Sequence, residues 1–104
     1  MSAFAILSSV AIMWELTINP TKTEEFVDMM ADNIAASRTY DGNQQFDVFV
    51  DPSRKDKVIL IEKWESEEKR KIYMQWRAET GGMSQIMPYF LKPPVLHRFN
   101  QVVE

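Results

Sequence analysis

The chain of 104 residues contains no cysteine, a single histidine (His97) and only three glycines. Without cysteine there is no disulfide, no thiolate metal site and no sulfur nucleophile. One imidazole cannot furnish the two histidines of a facial metal triad from one chain, and a haem iron would have only His97 or a weaker donor to bind. The scarcity of glycine excludes a phosphate-cradling loop and a dinucleotide fingerprint, and no nucleophile motif is present. Positive charge is not in excess either. The formal net charge is −3, which offers no general attraction to nucleic acid or anionic lipid. The apolar stretch from Ser2 to Trp14 is closed by Glu15. It is too short to span a bilayer and lacks the basic lead of a signal peptide. The expectation is a cytoplasmic protein without a metal, a tightly bound cofactor, a nucleic-acid partner or a membrane partner.

What the sequence does contain is globular. Hydrophobic residues make up 45% and charged residues 26%, which excludes a disordered chain, and the length suits one domain over 1–104. Val10 to Ile18 is rich in β-branched and aromatic residues and reads as a strand. Asn19-Pro20-Thr21 is a turn into a helix from Thr21 to Arg38. Phe26, Met30 and Ile34, flanked by Val27, Ala31 and Ala35, form its apolar stripe; Lys22, Asp28, Asp32 and Asn33 lie opposite. Asp41-Gly42 is a turn. Strands over 44–50 and 58–64 are joined by a polar loop from Asp51 to Lys57, so they pair antiparallel. Ser66 caps a second helix that Gly81-Gly82 ends near Thr80. Lys69, Ile72, Tyr73, Trp76 and Thr80 are expected on one face of it. Met83 to Phe90 suggests a short helical turn limited by Pro88 unless the proline lies in its first turn, and Val95 to Val103 is a fourth strand. The order is β-α-β-β-α-β, the ferredoxin-like split arrangement of an α+β protein.

The third strand is apolar on both faces, with Val58, Leu60 and Trp64 on one and Ile59 and Ile61 on the other. Phe46, Val48 and Val50 are likewise opposed by Phe49. Helices cover one sheet face only, so the second face predicts a homodimer packed sheet to sheet.

In order and spacing nearly the whole chain resembles the antibiotic biosynthesis monooxygenase family, which includes quinol monooxygenases. The resemblance rests on Glu15 to Pro20, on Ser37-Arg38 with Asp41-Gly42, on Phe46 to Pro52, and above all on the Glu-x-Trp-x-Ser-x-Glu stretch from Glu62 to Glu68. It implies a dimeric α+β barrel with a ligand cleft between sheet and helices. It also implies a cofactor-independent monooxygenase acting with O2 on a phenolic, quinol or polyketide-like aromatic. At helix-two positions where many members carry histidine, this chain has Tyr73 and Ala78. Where the haem-degrading branch has a strand-one asparagine, it has Met13 and Trp14. These departures imply a protein that does not handle haem.

Candidate site residues follow from chemistry. Trp64 and Trp76 are flat walls for an aromatic ring, with the alternative of plain core packing. Tyr73 stands one turn from Trp76 and offers a hydroxyl to a phenolic oxygen. His97 is the candidate general base. Trp14, Met83 and Met87 are expected to line the substrate. Glu62, inside a strand, requires a partner if buried, with Arg38, Lys57 and Arg98 as candidates. The Lys69-Arg70-Lys71 run is expected to be a solvated helix face. A non-catalytic ligand-binding or assembly module on the same fold is the alternative reading.

Overall fold

The computed structural model describes residues 5–104; Ser2 to Phe4, where the N-terminal apolar stretch begins, lie outside it. The described elements are β1 (Val10–Thr17), α1 (Thr23–Arg38), β2 (Asn43–Asp51), β3 (Arg54–Trp64), α2 (Glu67–Glu79), α3 (Gly82–Ile86), a single 3₁₀ turn (Met87–Tyr89) and β4 (Val95–Asn100). The four strands form one antiparallel sheet in the order β2-β3-β1-β4. This is the expected ferredoxin-like α+β architecture. Among the described residues no helix is long and apolar enough to cross a membrane.

Alternation along β1 sends Val10, Ile12, Trp14 and Leu16 inward, and each is buried. Their register partners Trp64, Glu62, Leu60 and Val58 on β3 point the same way, because directly opposed residues share a sheet face. With Ile18, Phe26, Met30, Phe46 and Tyr73 they make the core.

Local chemistry sets the element ends, with some differences from the sequence pattern. Asn19 Oδ1 accepts bonds from the backbone N–H and hydroxyl of Thr21. This turn delays α1 to Thr23. The β2-β3 hairpin is tighter than expected: Pro52 and Ser53 alone separate the strands, since Asp51 Oδ1 accepts the Ser53 N–H and closes the turn within the polar stretch. β4 stops at Asn100, where its pairing with Val10 ends. Ser66 caps α2 through a bond from Lys69 N, and Gly81, at φ 80°, takes the left-handed turn that ends it. Pro88 lies in the first turn of the 3₁₀ segment, where its missing N–H costs nothing.

The helical faces also shift. Ile72, expected inward on α2, is 60% exposed, and the buried residues of that helix are Arg70 and Tyr73. On α1, Ala31 and Ala35 are exposed while Ser37 is buried. Two polar side chains have displaced aliphatic ones because each finds a partner inside.

The outer sheet face is bare. Ala11 and Met13 of β1 and Ile59 and Ile61 of β3 form its centre. Phe49 (49% exposed), Val95 (47%) and Phe99 (56%) extend it outward.

Gly42, at φ 88°, joins α1 to β2 where the Lys69 side chain crosses it. A Cβ there would lie 2.6 Å from Lys69 Cδ. Gly42→Ala is therefore expected to destabilise the protein by about 1–3 kcal/mol, measurable as a lower urea midpoint at unchanged slope.

Candidate functional site

A cavity of about 60 Å³ lies between the inner sheet face and the helices. Trp14, Phe46, Leu60 and Glu62 form its sheet side. Met30, Asn33, Ile34 and Ser37 come from α1, and Tyr73, Met74 and Arg77 from α2. Gly82, Met83, Gln85 and Ile86 close it from α3.

At the sheet side sits a buried charge. Glu62 is 2% exposed. Its Oε1 accepts from Trp64 Nε1 at 2.8 Å and Arg70 Nε at 2.9 Å; its Oε2 accepts from Trp14 Nε1 at 2.8 Å. An isolated carboxylate here would be prohibitive, but a charge partner and three N–H donors compensate for the lost water. The partner is Arg70, not Arg38, Lys57 or Arg98. Arg38 pairs with Asp47 and Arg98 with Glu67, and Lys57 bonds Thr17 Oγ1. The Lys69-Arg70-Lys71 run is thus split: Lys71 is exposed, Lys69 reaches Asp41, and Arg70 turns inward.

Toward the helices is a second polar group. Arg77 Nε donates to the Tyr73 hydroxyl at 3.1 Å, and Arg77 Nη2 donates to Ser37 Oγ at 2.8 Å and to the Asn33 carbonyl at 3.1 Å. The Tyr73 and Ser37 hydroxyls are 2.7 Å apart. The guanidinium carbon lies 4.7 Å from the Trp76 ring centroid and 5.6 Å from that of Tyr73, within cation–π range.

The structure therefore brings Trp14, Tyr73 and Met83 to the cavity wall. Trp64 does not line it. That ring is fully buried behind Tyr73, with centroids 4.6 Å apart. Trp76 stacks on Tyr40 at 5.0 Å and backs Arg77 from outside the lining. Met87 is 57% exposed on the 3₁₀ turn. His97 projects from the opposite sheet face, since its register partner is Met13 rather than Trp14. Its Nε2 lies 3.3 Å from Glu15 Oε2 without forming an aligned hydrogen bond. The pleat of β4 thus takes His97 away from this cavity. No group of three or more His, Asp or Glu side chains able to hold a metal occurs among the described residues.

Sequence reasoning passed over Arg77, Ser37 and Asn33. A signal was available: Arg70, Tyr73 and Arg77 recur at helical spacing, as do Met30, Asn33 and Ser37. Asn33 was placed on the polar side of α1, yet it sits beside Ile34 at the cavity, where its amide reaches Met29 O and Gln85 Oε1. The 3₁₀ turn that follows α3 is tethered to α1 by Tyr89. Its hydroxyl donates to Glu25 Oε1 at 3.0 Å, and its ring meets Phe26 edge-on. That bond, with Lys22 nearby, holds the Glu25 carboxyl below its ordinary pKa.

The family model described as antibiotic biosynthesis monooxygenase matches residues 9–79. The chain belongs to that family. Among solved structures, a family protein from Nitrosomonas europaea superposes with a TM-score of 0.85 at 14% identity, covering 97% of this chain and 96% of that one. One from Caulobacter crescentus gives 0.83 at 15%, covering 94% and 93%. At these identities the likeness concerns the fold. YcnE of Bacillus subtilis, which carries a provisional monooxygenase name, is 29% identical over 58 residues, 56% of this chain. The match spans 61% of that curated relative's length.

Among the described residues Arg70 is the only cation bonded to the Glu62 carboxylate. Arg70→Met should leave that charge buried and unpaired, and cost about 3–5 kcal/mol in chemical denaturation.

Proposed function

We propose that this antibiotic biosynthesis monooxygenase family member oxidises a phenolic or quinol aromatic with O2 in the cavity between sheet and helices, without a cofactor. The observation that carries the reading is an aromatic-walled cavity with a fixed carboxylate on one side and a hydroxyl–guanidinium cluster on the other. Apolar pockets with a few convergent polar groups are the usual form of a small-molecule site.

Such a substrate supplies its own electrons. Among the described residues Glu62 Oε2 accepts only the Trp14 N–H, which leaves a lone pair for the proton of a substrate hydroxyl. It takes the base role first assigned to His97. Tyr73 donates to the phenolate oxygen, and Arg77 beside it offsets the developing charge. The anion passes one electron to O2, and the two radicals combine to form a C–O bond. Cleavage of the peroxide O–O bond then leaves one oxygen in the product as a carbonyl and releases the other as water. The substrate provides all four electrons. Trp14, Met30 and Met83 exclude bulk water from these steps.

The free volume favours a second reading in one respect. It is smaller than the roughly 150 Å³ of a cavity that accepts benzene, as expected of a binding or assembly module that encloses little. For a substrate to enter, the α3 wall must yield, and Gly81-Gly82 is where the chain can flex.

The bare outer face supports a homodimer as the functional unit. Contiguous exposed apolar area of this kind is costly on a monomer, and the two-fold mate of a sheet face is the same face. Ile61→Glu should lower the sedimentation mass from twice 12.2 kDa to 12.2 kDa. An unchanged mass would remove the sheet face as the interface.

Oxygen uptake with a panel of hydroquinones and naphthols, against autoxidation controls, tests the activity. Tyr73→Phe should lower kcat/KM at least about tenfold, the cost of one hydrogen bond to a charged oxygen. Uptake no faster than autoxidation for every compound would favour the binding module.

A further inference from the structure

We infer that the ligand of this cavity carries an ionised carboxylate beside a ring hydroxyl, and that Arg77 selects for that negative charge. The inference rests on the reading of the cavity as a site for a phenolic aromatic, and it specifies the ligand class.

Charge pairing is the first observation. The chain has five arginines, and four of them meet a carboxylate: Arg38 with Asp47, Arg54 with Asp56, Arg70 with Glu62 and Arg98 with Glu67. Arg77 alone has no acidic partner among the described residues. Among those residues it is also the only cation that lines the cavity. The other charge on the wall, Glu62, is already neutralised by Arg70 at 2.9 Å. The cavity as built therefore has an unbalanced positive charge.

A count of donors is the second observation. A guanidinium has five N–H groups. Arg77 uses one on Tyr73, one on Ser37 and one on the Asn33 carbonyl, and the two on Nη1 have no acceptor among the described residues. The hydroxyls of Tyr73 and Ser37 both accept from Arg77 and share a single hydrogen between them. Whichever of them donates, the other O–H is left without an acceptor. The cluster thus presents three unused donors against a single spare hydroxyl lone pair. A neutral phenol, its proton directed to Glu62, offers one weakly charged oxygen to these three donors and satisfies the cluster poorly. An anionic oxygen pair, one carboxylate oxygen on Nη1 and the adjacent ring oxygen on the spare O–H, satisfies it fully.

Stacking fixes where that charge can sit. The Arg77 guanidinium carbon lies 4.7 Å from the Trp76 ring centroid and 5.6 Å from that of Tyr73, and these contacts with its three hydrogen bonds hold the planar head in place and leave its Nη1 edge for the ligand. Trp14, Ile34, Met83 and Ile86 then contact the ring.

The test compares two ligands of the same ring and hydroxyl pattern, 2,5-dihydroxybenzoate and 2,5-dihydroxybenzamide. Each is titrated calorimetrically into the full-length protein under nitrogen. The acid is expected to bind at least about tenfold more tightly than the amide, a preference that drops to about twofold or less in Arg77→Gln and is partly kept in Arg77→Lys. Equal affinities in the unmutated protein overturn the inference without recourse to any variant, as does failure of the acid to bind at millimolar concentration. A preference that survives in a folded Arg77→Gln protein overturns it too. Admitting air separates this inference from the oxygenase reading. Equal oxygen uptake with acid and amide keeps the oxygenase and removes the charge selection. Arg77-dependent binding of the acid with no uptake keeps the charge selection and removes the oxygenase.

Discussion

A buried carboxylate holds three elements of this protein in one arrangement. Glu62 stands on β3, and its two oxygens take N–H bonds from Trp14 on β1, Trp64 on β3 and Arg70 on α2. Its position in the low-dielectric core makes each bond obligatory, because a donor lost there leaves charge that water cannot reach. A slip of one residue between β1 and β3 would send Trp14 to the other face and remove one donor. A rotation of α2 would remove Arg70. The ion pair thus adds specificity of register and helix orientation to a fold whose net stabilisation comes from burying the apolar side chains around it.

The second network depends on the first. With α2 held by Arg70, Tyr73 and Arg77 are carried one and two turns along the same face toward α1. There Ser37 and the Asn33 carbonyl receive them. The two helices are clipped together at this point, and the cavity is the space that the clip, the Glu62 cluster and the short α3 leave open. The polar groups proposed to orient a ligand are also groups that hold the fold, so the cavity is rigid on its sheet, α1 and α2 sides. It is softest at α3, five residues entered through a pair of glycines.

Much of the fold was legible along the chain. The order of strands and helices, the Ser66 cap, the Gly81 stop and the two-sided apolar character of β3 all follow from local pattern, since each depends on residues within a turn or two of one another. The site was less legible. Tyr73, Trp14 and Met83 stood out by type, but Trp64 and Trp76 look equally suited to a ligand and stand behind the wall instead. His97 was chosen because imidazole is versatile, and the parity of β4 relative to β1 sent it to the far face. Arg70 and Arg77 turn inward only because Glu62, Tyr73 and Ser37 receive them, whereas an arginine on a helix most often faces solvent.

By itself the sequence determined the class of fold, the absence of thiols and of a two-histidine metal site within one chain, and the apolar character of a second sheet face. These depend on composition and on periods of two and 3.6 residues, which short-range geometry imposes. Only the tertiary structure decided which arginine neutralises Glu62, which polar residues of α1 meet α2, and which aromatics face the cavity rather than support it. Those outcomes depend on register and helix rotation across separations of 8 to 48 residues. At that range several partners of equal chemistry compete, and packing selects one.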